Sequence, residues 1–177
     1  PMVDLRGQYD KIKPEIDQAI QECLNSTRFI GGAVVEGFAK NLEAYMDVRH
    51  VIPCANGTDA LQIALMALGL RQGDEVIVPS FTYVATAEVI ALLGLVPVMT
   101  DVDPDNFNIT RAIIQQAISK KTKAIVPVHL FGQSAPMKEI MDIAESYGLF
   151  VVEDNAQSQG ATFNGKMSGS FGQINAT

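Results

Sequence analysis

An α/β fold with a mostly parallel sheet is the class that this sequence predicts. Two observations carry it. From residue 51 onward, short apolar runs alternate with stretches of helical spacing. The runs are also apolar throughout rather than at every second position, as in Val76-Ile77-Val78 and Ala124 to Val128. A strand that is apolar on both sides is covered on both faces, and strands joined through helices lie parallel in the middle layer of a sandwich.

Two helices precede this region. Residues 9–25 place Ile12, Ile16, Ala19, Ile20 and Cys23 on one face, the spacing of an amphipathic helix. Phe29-Ile30-Gly31-Gly32 breaks the pattern, and a second helix over 34–46 carries Val34, Phe38, Leu42 and Tyr45. Val51 to Ala55 is a short apolar run. Ala60, Leu61, Ala64, Leu65 and Leu68 then recur at helical spacing, and Gly69 closes that helix. Strands are predicted at 76–78, 96–100, 124–128 and 149–152. Helices are predicted at 83–93, 110–119 and 135–147, the first and last stopped by Gly94 and Gly148.

Composition narrows the function classes. The 177 residues are 47% hydrophobic and 19% charged, which suits one domain with a real core. A net charge of −7 speaks against nucleic acid as a partner, because phosphate backbones attract basic patches. Cys23 and Cys54 are far apart and form no CxxC, so neither a zinc signature nor a disulfide framework is present. A reducing cytoplasm is the expected setting. Gly, Pro or Thr interrupts the apolar stretches well short of a membrane span, and Pro1 to Arg6 lacks a signal-peptide layout.

Parallel sheets bind ligands beyond the carboxyl ends of their strands. Three segments there carry chemistry. Asn56-Gly57-Thr58-Asp59 lies between an apolar run and a helix. A helix amino end presents unpaired N–H groups and about half a positive charge, a ready phosphate site. Gly57 permits close backbone approach and Thr58 adds a hydroxyl; the plain alternative is an N-cap by Asn56 or Thr58. Pro79-Ser80-Phe81-Thr82-Tyr83 sets two aromatics at the sheet mouth, to stack on a flat ring or to pack under a loop. Glu153-Asp154-Asn155-Ala156-Gln157 follows the last strand. A carboxylate at that place holds a protonated ring nitrogen, as an electron-sink cofactor requires, and Gln157 reaches the same ring. A magnesium ligand, a helix cap or a surface acid are the alternatives for Asp154.

Other patterns lead nowhere. Gly160 to Met167 approaches GxxxxGK[ST], but Met167 lacks the hydroxyl and Asn164-Gly165 fits a hairpin turn. Gly31-Gly32 with Gly37 lacks dinucleotide-binding spacing. His50 and His129 have no paired ligands, so no metal site is expected, and His129 reads as a satisfied core histidine.

Together these segments resemble the nucleotide-sugar aminotransferases of the DegT/DnrJ/EryC1/StrS family, in the aspartate-aminotransferase fold group. The resemblance covers essentially the whole chain. It rests on Asp4-Leu5-x-x-Gln8-Tyr9, Cys54 to Leu61, Gly73 to Ile77, Pro79 to Thr86, Pro127 to Gly132, and Glu153-Asp154-x-Ala156-Gln157-x-x-Gly160-Ala161. It implies the three-layer αβα large domain of a fold type I pyridoxal-phosphate transferase, truncated here. Residues 1–50 would be an N-terminal helical segment, 51–177 part of the cofactor-binding domain, and the small C-terminal domain would be absent. The cofactor implied is pyridoxal 5'-phosphate. Gly57, Thr58 and the backbone of Asp59 would bind its phosphate, Tyr83 would stack on its ring, Asp154 would pair with the ring nitrogen, and Gln157 would bond the ring hydroxyl.

One departure matters. The family carries Ser-Phe-x-x-x-Lys after the Gly-Ser-Phe-Gly region, with a lysine that links covalently to the cofactor and shuttles the proton. Here Gly169-Ser170-Phe171-Gly172 is followed by Gln173 to Thr177, and Lys166 precedes the region. The lysine is therefore expected beyond Thr177, and this stretch alone is expected to be inactive. The resemblance implies a homodimer that moves an amino group from glutamate to a nucleotide-linked keto sugar. Its finer likeness is to enzymes that aminate C3 of UDP-linked keto-uronic sugars for surface polysaccharides. The alternatives are a sugar 3-dehydratase of the same fold and a catalytically inactive regulatory relative.

Overall fold

Among the described residues, five strands form one parallel sheet in the spatial order Val96–Thr100, Glu75–Pro79, Thr122–Ile125, Phe150–Asp154 and Ile174–Ala176, so the first and last of these are its edges. The coordinates are a computed structural model that describes residues 3–177. The strands are β1 (Glu75–Pro79), β2 (Val96–Thr100), β3 (Thr122–Ile125), β4 (Phe150–Asp154) and β7 (Ile174–Ala176). A separate antiparallel pair, β5 (Thr162–Phe163) and β6 (Lys166–Met167), is joined through Asn164-Gly165 at positive φ, the hairpin its sequence predicts.

Side-chain alternation along the strands creates two cores. Val76 and Val78 of β1 pack with Leu61 and Leu65 of α3 (Gly57–Ala67) and with Val89 and Ile90 of α4 (Ala85–Leu92). Ile77 faces the other way, onto Ile114 of α5 (Arg111–Ala117) and Ile140 and Ile143 of α6 (Met137–Tyr147). Val152 and Val151 of β4 divide between the same two clusters. Each fully buried aliphatic side chain contributes roughly 1.5–3 kcal/mol. The result is the αβα layering that the apolar runs predict.

The connections place the site. β1 leads to β2 on one side, and the chain then returns to set β3 on the other side of β1. This reversal makes a switch point at the carboxyl ends of β1 and β3, where an open parallel sheet leaves a crevice. The loops after β1, β3 and β4 all surround it.

Several elements differ from expectation. Residues 124–128 read as one strand, but β3 ends at Ile125. The Val126 N–H still reaches Ile77 O at 2.8 Å, then Pro127 supplies no N–H, and Val128 makes only an isolated bridge to Asp154. The apolar run Val51 to Ala55, for which no element is expected, joins no ladder. The Val51 N–H goes instead to Glu43 Oε1 at 3.2 Å, on α2 (Ala33–Met46). The first helix, α1 (Leu5–Ser26), starts earlier than its apolar stripe because Asp4 caps it through the Gly7 N–H at 2.9 Å. None of its residues is buried, so Ile12, Ile16 and Ile20 lie exposed.

Two glycine substitutions test this packing with opposite signs. A Cβ on Gly172 would stand 2.5 Å from Val151 O of β4, whereas one on Gly37 of α2 meets nothing within 4 Å. Gly172→Ala is expected to destabilise the fold by about 1–3 kcal/mol. Gly37→Ala should stabilise it by about 0.5–1 kcal/mol by lowering the entropy of the unfolded chain. Urea midpoints check both; equal midpoints would contradict the packing described.

Candidate functional site

β4 ends on two acids, and alternation turns them to opposite sides. Glu153 is fully buried. Its Oε1 accepts the N–H groups of Phe171 and Gly172, both at 2.6 Å. Its Oε2 accepts the Gly169 N–H at 2.8 Å and lies 2.9 Å from His129 Nε2. His129 Nδ1 accepts the Ala135 N–H at 3.0 Å. A backbone N–H only donates, so Nδ1 is the bare nitrogen and Nε2 carries the proton that goes to Glu153. His129 is thus the satisfied core histidine its sequence context predicts.

Asp154 faces the other way and is 6% exposed. Its Oδ2 accepts the Thr86 hydroxyl at 2.7 Å, from the first turn of α4, and its Oδ1 accepts the Ala156 N–H at 3.3 Å. Its backbone is fixed on both sides, by Asp154 N–H to Pro127 O at 2.9 Å and His129 N–H to Asp154 O at 3.0 Å. The Thr86 N–H reaches Tyr83 O at 3.3 Å, so the tyrosine sits on the loop that starts the same helix. The two aromatics divide their roles: Phe81 packs on Phe107 with ring centroids 5.3 Å apart, whereas the Tyr83 side chain is largely exposed. Gln157 is exposed, and its Oε1 accepts the Phe131 N–H at 2.9 Å.

At the amino end of α3, Asn56 is the cap. Its Oδ1 accepts the Asp59 N–H at 2.9 Å, and its Nδ2 donates to Asp59 Oδ2 at 3.0 Å. The N–H groups of Gly57 and Thr58 belong to the first turn, which has no helical acceptors. The Thr58 hydroxyl takes no partner among the described residues, and nothing stands within 4 Å of a Cβ built on Gly57. A cavity of about 840 Å³ opens there, lined by Asn56, Gly57, Ser170, Asn175 and Thr177. It meets the sheet at β7, whose Ala176 is paired with Asp154. The structure therefore links Asp154, Tyr83 and Gln157 through short loops, and links Gly57 to them through β7. Tyr83, Asp154 and Gln157 do not line that cavity.

Thr86, Phe131 and the Glu153 carboxylate were given no role by the sequence. A signal existed for Thr86 alone: it lies one helical turn after Tyr83, on a helix that starts beside a strand-end carboxylate. Among the described residues, no group of three or more His, Cys, Asp or Glu is placed to hold a metal ion, and no helix is long and apolar enough to cross a membrane.

A parallel sheet between two helical layers, with a strand-end acid, a capped helix start and an aromatic loop, defines a three-layer αβα protein. The chain belongs to the DegT/DnrJ/EryC1/StrS aminotransferase family, whose model matches residues 10–177. It is 49% identical over 172 residues to a pleiotropic regulatory protein of Geobacillus stearothermophilus, covering 97% of this chain and 46% of that one. It is 47% identical over 175 residues to the UDP-2-acetamido-2-deoxy-3-oxo-D-glucuronate aminotransferase of Pseudomonas aeruginosa, covering 99% and 49%. Among solved structures, S. venezuelae DesV in complex with a ketimine intermediate superposes with a TM-score of 0.92 at 38% identity, covering 96% of this chain and 46% of that one. The chain spans about half the length of the curated relatives it matches.

The buried network has a measurable cost of disruption. Glu153→Ala strips the acceptor from three N–H groups and from His129 at once, and should cost about 3–5 kcal/mol. Thr86→Val removes one donor from Asp154 and should cost about 1–3 kcal/mol. Denaturant unfolding reads both, and a Glu153→Ala loss no larger than that of Thr86→Val would show that the carboxylate is not the central tie.

Proposed function

We propose that the full-length protein is a pyridoxal 5'-phosphate-dependent aminotransferase that moves an amino group from glutamate to a nucleotide-linked keto sugar. The observation that carries this reading is Asp154, a nearly buried carboxylate at the sheet's carboxyl rim. It is clamped by Thr86 through Oδ2 and keeps Oδ1 on a single long bond. The family membership and the aminotransferase among its relatives support the same reading.

The residues present fit the cofactor. The uncommitted N–H groups of Gly57 and Thr58, with the Thr58 hydroxyl, suit a phosphate at a helix amino end. The Asp59 N–H joins them by exchanging its bond to Asn56. Tyr83 offers an exposed aromatic face for stacking, and Asp154 accepts a ring N–H. Gln157 keeps its Nε2 for a ring oxygen. When bound, this cofactor supplies an electron sink and a carrier for the amino group. Asp154 would keep the ring nitrogen protonated.

Residues 51–177 are then part of the cofactor-binding domain, preceded by a helical segment over 1–50. A homodimer in the cytoplasm is the expected form. The relative named for a UDP-linked 3-oxo-glucuronate supports a UDP-3-keto-uronic substrate, and surface polysaccharide is the use we propose for the product. A regulatory role is the second reading, favoured by the regulatory relative at 49% identity.

Absorbance of the full-length protein with pyridoxal 5'-phosphate, before and after glutamate, tests the proposal. A visible band that shifts with glutamate is expected. Asp154→Asn should abolish the shift, and Thr58→Ala should weaken cofactor binding on the order of tenfold, as for one lost charge-assisted hydrogen bond. Binding without a borohydride-reducible link points instead to a sugar 3-dehydratase. No binding at all leaves the regulatory reading.

A further inference from the structure

The loop after β3 contains a backbone outlier. Phe131 has φ 56° and ψ 25°, in the left-handed region. A bulky residue there is uncommon, and such strain persists only where the surroundings over-determine it. Packing of the ring does not explain it, because the Phe131 side chain is 72% exposed. The anchors lie on either side. His129 is fully buried and bonded through both ring nitrogens and its N–H. Leu130 is buried, and its C=O accepts the Gln133 N–H at 3.0 Å.

The left-handed residue lets the turn close from Leu130 to Gln133, and the closed turn holds the Leu130–Phe131 peptide with its N–H toward Gln157. That N–H donates to Gln157 Oε1 at 2.9 Å. The same turn touches Gln157 again: a Cβ on Gly132 would lie 3.6 Å from Gln157 O. An amide carries one acceptor oxygen and one donor nitrogen. With Oε1 held by a backbone donor, a flip would set N–H against N–H. Gln157 is thereby fixed with Nε2 free, three residues from the Asp154 carboxylate.

We propose that the left-handed backbone at Phe131 is a positioning device that orients the Gln157 amide so that it donates to an oxygen on the cofactor ring. This rests on the cofactor assignment above and deepens it. Phe131 acts through Gln157 and touches no reacting atom. The ring oxygen is the phenolic one, and a donor facing it favours its ionised form.

The test uses the full-length protein with pyridoxal 5'-phosphate. The readouts are the dissociation constant and the pH titration of the bound chromophore. Phe131→Val, β-branched and ill suited to positive φ, is expected to weaken binding on the order of tenfold, as for one hydrogen bond. It should also move the phenol titration to higher pH. Phe131→Gly and Phe131→Asn tolerate the conformation and are expected to retain the parent titration. In a Gln157→Ala background, Phe131→Val should add nothing. An undiminished effect of Phe131→Val in that background overturns the proposal, as does a Phe131→Gly variant that behaves like Phe131→Val. If Phe131→Val does not fold, Gln157→Glu decides: it still accepts the Phe131 N–H but offers no donor, so an unchanged titration overturns the proposal. A parent protein that binds no cofactor removes the cofactor assignment, and this inference with it.

Discussion

The carboxyl rim of the sheet is organised by one buried anion, the Glu153 carboxylate. Taking a carboxylate out of water is costly unless donors surround it. Here three N–H groups come from one short turn, 169–172, and a fourth donor from His129. The turn fits because two of its residues lack a Cβ: one on Gly169 would meet Asn155 Nδ2 at 2.9 Å, and one on Gly172 would meet Val151 O at 2.5 Å. Held this way, the turn delivers Ile174 into register with Val152, and β7 follows. The same anion fixes the neighbouring acid. Because Glu153 points toward the turn, strand alternation sends Asp154 to the opposite side, where Thr86 meets it.

A chain of hydrogen bonds then carries this order outward. Thr86 connects Asp154 to the start of α4 and so to the Tyr83 loop. His129 connects Glu153 to the loop after β3 and, through Phe131, to Gln157. These ties join segments 24 to 68 residues apart in the chain, and together they draw three candidate ligand groups toward one strand end. A loop whose ends are pinned in this manner sits on a rigid scaffold while its tip stays exposed, which is the usual arrangement of a binding surface.

The sheet and its helices were legible in the sequence because burial on both faces forces uninterrupted apolar runs such as Val76-Ile77-Val78. The places where reading failed share one cause. Composition does not report the presence of a neighbour: even the apolar run Val51 to Ala55, assigned to no element, has no strand beside it. Pro127 interrupts a ladder whose apolar character continues past it to Val128. The stripe on α1 has helical period, but none of its residues is buried against the described residues. At the site, Asp154 and Gln157 were visible from residue type and position after a strand. The roles of Glu153, Thr86 and Phe131 were not, because each depends on contacts between segments distant in the chain and, for Phe131, on a backbone angle that its side chain disfavours.

The polarity of the rim also resolves an apparent conflict with the net charge of −7. An acidic protein is a poor long-range attractor for an anionic ligand. Exposed charges beyond about 8 Å are largely screened at physiological salt, however, so recognition is decided by what lies at contact distance. At the amino end of α3 those groups are N–H and hydroxyl donors, and at Gln157 the free end of the amide is again a donor. The acceptor is Asp154, set apart at the strand end. These donors and this acid are the types that the proposed cofactor, with its phosphate, ring oxygen and protonated ring nitrogen, calls for. In the proposed assignment, contacts at this rim count for more than the field of the whole molecule.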